Sequence, residues 1–270
     1  MKKKLMFIEP TGGLCNRLNA IVSSYFAAEA SGKKLILIWR NKNDCNCSYN
    51  LLFDLPDSIS SIIINQGFFE NKAINQIPKL FGRNFFTDPD IDRWINENSV
   101  YDNINRRGNI YLRTCYLIYE PNENHIKPCD YSIIRPKQDV LRDIPEIFSR
   151  KDLTGIHIRR TDNVLSIENS PLELFIEKMD HELDLNKNSI FFIATDDVRI
   201  KEQLQKRYGS EHIFTRSEIE LSRAAQNGIR DAYIDLLCLS RCKKIYGSYW
   251  SSFSRCAAAI GKIPLEICRR

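Results

Sequence analysis

No stretch of this sequence approaches the roughly 18 apolar residues needed to cross a bilayer, so a transmembrane helix is not expected. The amino terminus opens on Met1 and Lys2 to Lys4, but its apolar run stops after four residues and no small-residue cleavage site follows. It reads as a first strand rather than as a signal peptide. No internal repeat and no low-complexity tract is found in the sequence. The nine cysteines contain no Cys-x-x-Cys pair, and no His or second cysteine pair stands at a zinc-site distance from Cys45 and Cys47. They read as small buried or half-buried thiols of a reducing compartment, so the expected location is cytoplasmic and no metal is expected. Gly-x-Gly-x-x-Gly and Gly-x-Ser-x-Gly are both absent, which leaves out the dinucleotide fingerprint and the hydrolase elbow. Nor is charge massed in one sign. With 39 basic against 34 acidic residues the net charge is +5, and the basic residues are scattered. That disfavours nucleic acid as a partner and favours an anionic small ligand, with at most peripheral contact with a membrane.

What is present is material for a packed core: 43% of the 270 residues are hydrophobic and 10% aromatic. Residues 3–9 read as a buried strand, 14–30 as a helix stopped by Gly32, and 34–39 as a second strand. A polar loop follows over 41–50, then a strand at 59–64, an irregular region over 66–108, a strand at 110–119 and a connector from Pro121 to Pro136. Pro136 is placed to start a helix running to about Arg150. From Leu153 the alternation is cleaner: strands at 153–158, 189–194, 211–215, 242–246 and 263–267, with helices at 171–185, 197–208, 221–240 and 251–261. This pattern predicts an α/β protein with parallel sheets, built as two Rossmann-like domains, 1–150 and 151–270.

Several strand ends carry chemistry. In an open α/β sheet ligands bind beyond the carboxyl ends of the strands, so these clusters are expected along one edge. Gly12-Gly13 before the first helix allows close backbone approach and an anion at the helix start, or simply a tight turn. In His157-Ile158-Arg159-Arg160-Thr161-Asp162 the strand must end near Arg159 if both guanidiniums are to reach one ligand. Paired arginines suit phosphate oxygens, and the plain alternative is an Arg–Asp surface network. For His157 a structural hydrogen bond is favoured over base chemistry. Thr195-Asp196-Asp197 either caps the next helix through Thr195 or Asp196, or meets the amino edge of a base. Asp231 and Asp235 lie one turn apart at the edge of an apolar stripe, where solvated carboxylates are the ordinary explanation. Ser251-Ser252-Phe253-Ser254-Arg255 opens a helix and offers an N-cap or an anion site.

Together these clusters resemble the inverting fucosyltransferase superfamily of α1,6-fucosyltransferases, nodulation fucosyltransferases and protein O-fucosyltransferases. The resemblance is carried by Gly12-Gly13-Leu14-x-Asn16-Arg17, His157-x-Arg159-Arg160-Thr161-Asp162, Ala194-Thr195-Asp196-Asp197, Asp235 with Leu239-Ser240, and Ser251-Ser252-Phe253-Ser254-Arg255, in that order. It covers 153–262 strongly, 7–39 in the first half, and nothing between about 40 and 135. It implies a GT-B-like fold, two Rossmann-like domains facing a cleft. The first would lie on the acceptor side; the second would bind the donor. It further implies transfer of fucose from GDP-fucose to an oligosaccharide or glycan hydroxyl, with no cofactor and no metal ion. Arg159 and Arg160 would bind the donor diphosphate, Asp197 and Asp196 the guanine or ribose, Asp235 the nucleotide, and Ser251, Ser252 and Phe253 the phosphates. Gly12, Gly13 and Asn16 would reach the diphosphate from across the cleft, and His157 would shape the pocket. Arg160 would serve catalysis by stabilising the leaving group, with Asp162 or Glu168 as the base. Asn163 stands where the α1,6 branch has a Lys, and the Glu suggested as base in that branch aligns one residue from Glu168. The membrane anchor, coiled-coil stalk and SH3 domain of the animal α1,6 enzymes are not in this sequence, so a bacterial enzyme of surface-polysaccharide synthesis is expected. A transferase using another sugar nucleotide and a non-catalytic nucleotide- or glycan-binding module are the competing readings.

Overall fold

Apolar strands separated by amphipathic helices settle into two parallel sheets. The computed structural model describes residues 4–42, 44–56, 59–64, 72–118, 130–217 and 219–270. The chain begins with β1 (Leu5–Pro10), α1 (Leu14–Ala30), β2 (Lys34–Arg40), α2 (Tyr49–Leu52), β3 (Phe53–Asp54) and β4 (Ser60–Ile64). It continues through α3 (Lys72–Phe81), β5 (Phe85–Thr87), α4 (Asp88–Asn96), α5 (Val100–Asn105) and β6 (Ile110–Thr114) to β7 (Arg135–Pro136). Strands β4-β2-β1-β6-β5 form one sheet, parallel throughout, and β3 pairs antiparallel with β7. The second half holds α6 (Gln138–Arg142), β8 (Thr154–Ile158), α7 (Val164–Asn169), α8 (Leu172–Leu185), β9 (Phe191–Thr195) and α9 (Val198–Tyr208). It ends with β10 (Ile213–Phe214), α10 (Gln226–Leu239), β11 (Lys244–Ser248), α11 (Ser252–Gly261) and β12 (Leu265–Cys268). Its parallel sheet has the order β10-β9-β8-β11-β12, so the strand sequence reverses between β8 and β11. A crevice for a ligand opens at such a reversal.

Period-two alternation builds the second core. Phe191 faces α8 and α9 in a cluster with Ile156, Ile158, Phe175, Met179 and Leu204. Phe192 points the other way and meets Phe148 at 4.9 Å. Gly155 and His157 share a face of β8. A Cβ on Gly155 would stand 2.8 Å from Leu239 Cδ2, so glycine there lets the end of α10 lie close. None of the helices, among the described residues, is long and apolar enough to cross a membrane.

Met1–Lys137 with Ser222–Arg230 form one compact unit, and Gln138–Leu221 with Asp231–Arg270 the other. The boundary therefore falls at 137/138 and not at 150/151. Phe148 explains this, because it sits on Phe192 and, at 5.6 Å, on Phe214 of the second unit. The helix expected from Pro136 to Arg150 is instead α6 followed by a 3-10 turn over Glu146–Ser149. Pro145 breaks it, having no N–H for a helix bond and pushing Ile144 out of helical geometry. The strand expected at 110–119 stops at Thr114, where Asp88 takes the Thr114 hydroxyl and, at 3.0 Å, the Cys115 N–H. The helix expected over 221–240 begins only at Gln226. Most of the expected connector, with His125, Pro128 and Cys129, lies outside the described residues.

Candidate functional site

The carboxyl end of β8 turns into a loop that the neighbouring strands hold by side chains. Strand geometry ends at Ile158, as two arginines bound for one ligand require. Ser248 at the end of β11 accepts the Arg159 N–H at 3.0 Å and donates to the His157 carbonyl at 3.3 Å. Asp196, just past β9, does more. Its Oδ1 accepts the Arg160 N–H at 2.8 Å, and its Oδ2 accepts the Thr161 hydroxyl at 2.6 Å and the Thr161 N–H at 3.3 Å. The same Oδ2 pairs with Arg159 Nη1 at 2.9 Å. Asp162 pairs with Arg159 Nη2. Arg160 Nη2 donates to the Ser170 carbonyl at 2.7 Å, and burial pulls its guanidinium below the usual arginine value. Two guanidiniums are thus oriented at the strand reversal, each with N–H groups left over from these contacts.

The reading of Asp196 and Asp197 as contacts to guanine or ribose meets a different geometry. Both oxygens of Asp196 are spent on the arginine loop. Asp197, not Thr195 or Asp196, caps α9, accepting the Arg199 N–H at 3.0 Å and the Arg199 side chain at 2.8 Å. That side chain, followed by the cap, holds the Asp197 carboxyl below the ordinary range. Asp231 and Asp235 are not solvated carboxylates. Asp235 is 7% exposed, and Arg216 reaches it at 2.9 Å while reaching Asp231 at 2.7 Å. Burial pushes the Asp235 carboxyl up, and Arg216 and Lys201 pull it back. Arg216 and Ser170 were passed over in the sequence. The signal for Arg216 was the Asp pair beside a core stripe, which requires a buried cation.

His157 is buried, stacks on Phe253 at 5.0 Å and 24°, and its Nδ1 has no hydrogen-bond partner among the described residues. Burial first, and Arg159 second, lower its pKa to about 4, so the ring is neutral at ordinary pH. The structural hydrogen bond favoured for His157 is thus not made through Nδ1, and its ring stacks on Phe253. Ser251 caps α11 by accepting the Phe253 N–H at 3.4 Å, and Ser252 is the first residue of that helix. Glu168, which precedes the helix expected at 171–185, lies on α7 and is exposed, and no hydrogen bond ties it to the arginine loop among the described residues.

In the first unit, Gly12 has φ +76, which only glycine adopts without strain, and its missing Cβ leaves room for Asn16 Nδ2 at 3.0 Å. Arg17 of the same motif is 1% exposed and braces the turn, donating to the Gly12 carbonyl at 2.8 Å and stacking on Trp39 at 4.9 Å. Arg223, also passed over in the sequence, brings Nη1 within 3.9 Å of where a Gly13 Cβ would stand. Glu9 is buried among Tyr111, Arg113 at 2.9 Å and Arg40 at 3.0 Å. The described cysteines are free thiols, all buried except the half-buried Cys115. Burial lifts Cys45, Cys47, Cys242 and Cys268 to about 12. Among the described residues no group of three or more His, Cys, Asp or Glu is gathered as a metal ion requires.

No protein-family model matches the sequence, and no curated protein matches it. Solved structures do match by fold. One is the Bradyrhizobium α-1,6-fucosyltransferase NodZ, soaked with GDP-fucose: TM-score 0.62 and 17% identity over 96% of this chain and 93% of that chain. Arabidopsis thaliana FUT1 in complex with GDP gives 0.63 and 13%, covering 98% of this chain and 70% of that one. POFUT1 in complex with GDP-fucose gives 0.57 and 11%, with 98% of each chain covered. The chain has the GT-B fold of these fucosyltransferases.

Proposed function

We propose that this protein transfers fucose from GDP-fucose, with inversion, to a glycan hydroxyl. The observation that carries the reading is the Arg159–Arg160 pair, oriented by Asp196 and Ser248 at the strand reversal of the second unit. Its support is the likeness in fold to three fucosyltransferases, each crystallised with GDP or GDP-fucose. In this reading the second unit binds the donor and the first serves the acceptor side, with Gly12, Gly13 and Asn16 as its candidate ligand contacts. Breaking the bond from the anomeric carbon to GDP builds negative charge on the diphosphate, and fixed guanidiniums stabilise that charge. The start of α11, with Ser251 and Ser252, adds N–H groups directed at an anion. Because arginines supply the charge, transfer proceeds without a divalent cation. Activity should survive excess EDTA; its loss with EDTA and return with manganese or magnesium would contradict this.

The acceptor hydroxyl must lose a proton on the opposite face, and Asp162 and Glu168 are the candidates. Asp162 is held by Arg159, so neutralising it also loosens the donor site, whereas exposed Glu168 has no such duty. With Glu168 as base, Glu168→Gln lowers turnover at least tenfold and leaves GDP affinity intact, while Asp162→Asn weakens both. Turnover and calorimetry on the two variants check this, and full turnover in Glu168→Gln removes it as base. A bacterial surface polysaccharide built in the cytosol as the acceptor belongs to the same proposal and rests on the sequence resemblance. Mass spectrometry of a glycan panel incubated with GDP-fucose tests it.

A further inference from the structure

Of the three tryptophans, Trp39 and Trp94 are sealed in the core at 0% and 2% exposure, whereas Trp250 is 61% exposed. It lies between the end of β11 and the cap of α11, with φ +53, left-handed backbone that a bulky L residue rarely adopts. Glycine would make the same turn without strain, so the turn does not explain the tryptophan. Strain of this kind persists where the surroundings over-determine it, and it clusters at ligand clamps. Here the surroundings are plain. Asn163 Nδ2 donates to the Trp250 carbonyl at 2.9 Å, Ser170 Oγ accepts the Tyr249 N–H at 2.8 Å, and Ser166 Oγ donates to the Tyr249 carbonyl. All three belong to the segment that follows Asp162, so the residue bearing the indole is tied to the arginine loop. Beside Asn163, Val164 and Leu165 of α7 are 63% and 45% exposed.

An exposed, backbone-fixed indole offers a flat apolar face with an N–H at its edge. A pyranose ring presents the complement, a face of C–H groups rimmed by hydroxyls. The face of a single indole matches the area of about one such ring. We propose that Trp250, on the second unit at the rim of the arginine loop, is the stacking platform for one saccharide ring of the acceptor, a contact additional to the acceptor role read for the first unit. This inference deepens the transferase reading and rests on it. Guanine is the other flat partner an indole takes, and the test separates the two.

GDP-saturated protein is titrated by calorimetry with cellotetraose, chitotetraose and an α-1,6-mannotetraose, using wild type, Trp250→Phe and Trp250→Gly. The expected result is that at least one tetrasaccharide binds the wild type, about tenfold more weakly Trp250→Gly, with most affinity kept by Trp250→Phe. Trp250→Gly should melt at the same or a higher temperature, because glycine relieves the left-handed strain; a merely structural tryptophan would give a lower one. GDP affinity should be unchanged in both variants. No binding by any of the three sugars, equal sugar affinity in Trp250→Gly, or a tenfold loss of GDP affinity would each overturn the platform. Failure of the wild type to bind GDP would overturn the transferase reading instead.

Discussion

Asp196 shows how far one residue can be read. Its place after β9 suggested either a cap or a base contact, yet it works as a clasp, gathering the Arg159 side chain and the Arg160 and Thr161 backbone. The motif is local in sequence but the bond crosses from β9 to the loop after β8, and no local pattern encodes that pairing. The arginines themselves were legible, because two adjacent guanidiniums at a strand end have few structural uses. His157 carries a consequence for pH. Its pKa of about 4, set by burial and then by Arg159, lies below the value of about 6.5 in an unfolded chain. The folded protein therefore takes up this proton later than the unfolded chain as pH falls. The stability is full above about pH 6.5 and is lost toward about pH 4, on the order of 3 kcal/mol in all. Thermal melts across that window should fall more steeply for wild type than for His157→Asn, and parallel curves would contradict the buried neutral ring.

At the scale of elements, the second half was readable because its strands and helices are long enough to show their periods. The helices expected at 171–185 and 251–261 stand at Leu172–Leu185 and Ser252–Gly261. The region 66–108 was not, since β5 has three residues and is held by pairing with β6. One signal there went unused: Thr87 with Asp90 forms a capping box around Pro89, which marks the start of α4. Close element contacts rest on glycine. A Cβ on Gly261, at the end of α11, would stand 2.1 Å from the Ser240 carbonyl oxygen, a backbone atom that cannot swing away. Gly261→Ala should therefore destabilise the protein by on the order of 3 kcal/mol. Denaturant unfolding measures it, and an unchanged midpoint would show that α11 does not press on that chain segment.

At the scale of the molecule, the two-unit α/β organisation was legible from alternating strands and helices, but the boundary was not. The chain passes from one unit to the other at 137/138, and 222–230 count with the first unit, because packing around Phe148 and the bonds from Asn46 to Arg223 and Ala224 decide membership. The proposed activity depends on a guanine nucleotide diphosphate meeting the arginine pair. Isothermal calorimetry of GDP and UDP against wild type and Arg160→Ala tests it most directly. GDP should bind wild type and UDP should not compete, and Arg160→Ala should lose about 1.5–3 kcal/mol of GDP binding while remaining folded. Equal binding of GDP and UDP, or unchanged GDP affinity in folded Arg160→Ala, would contradict it.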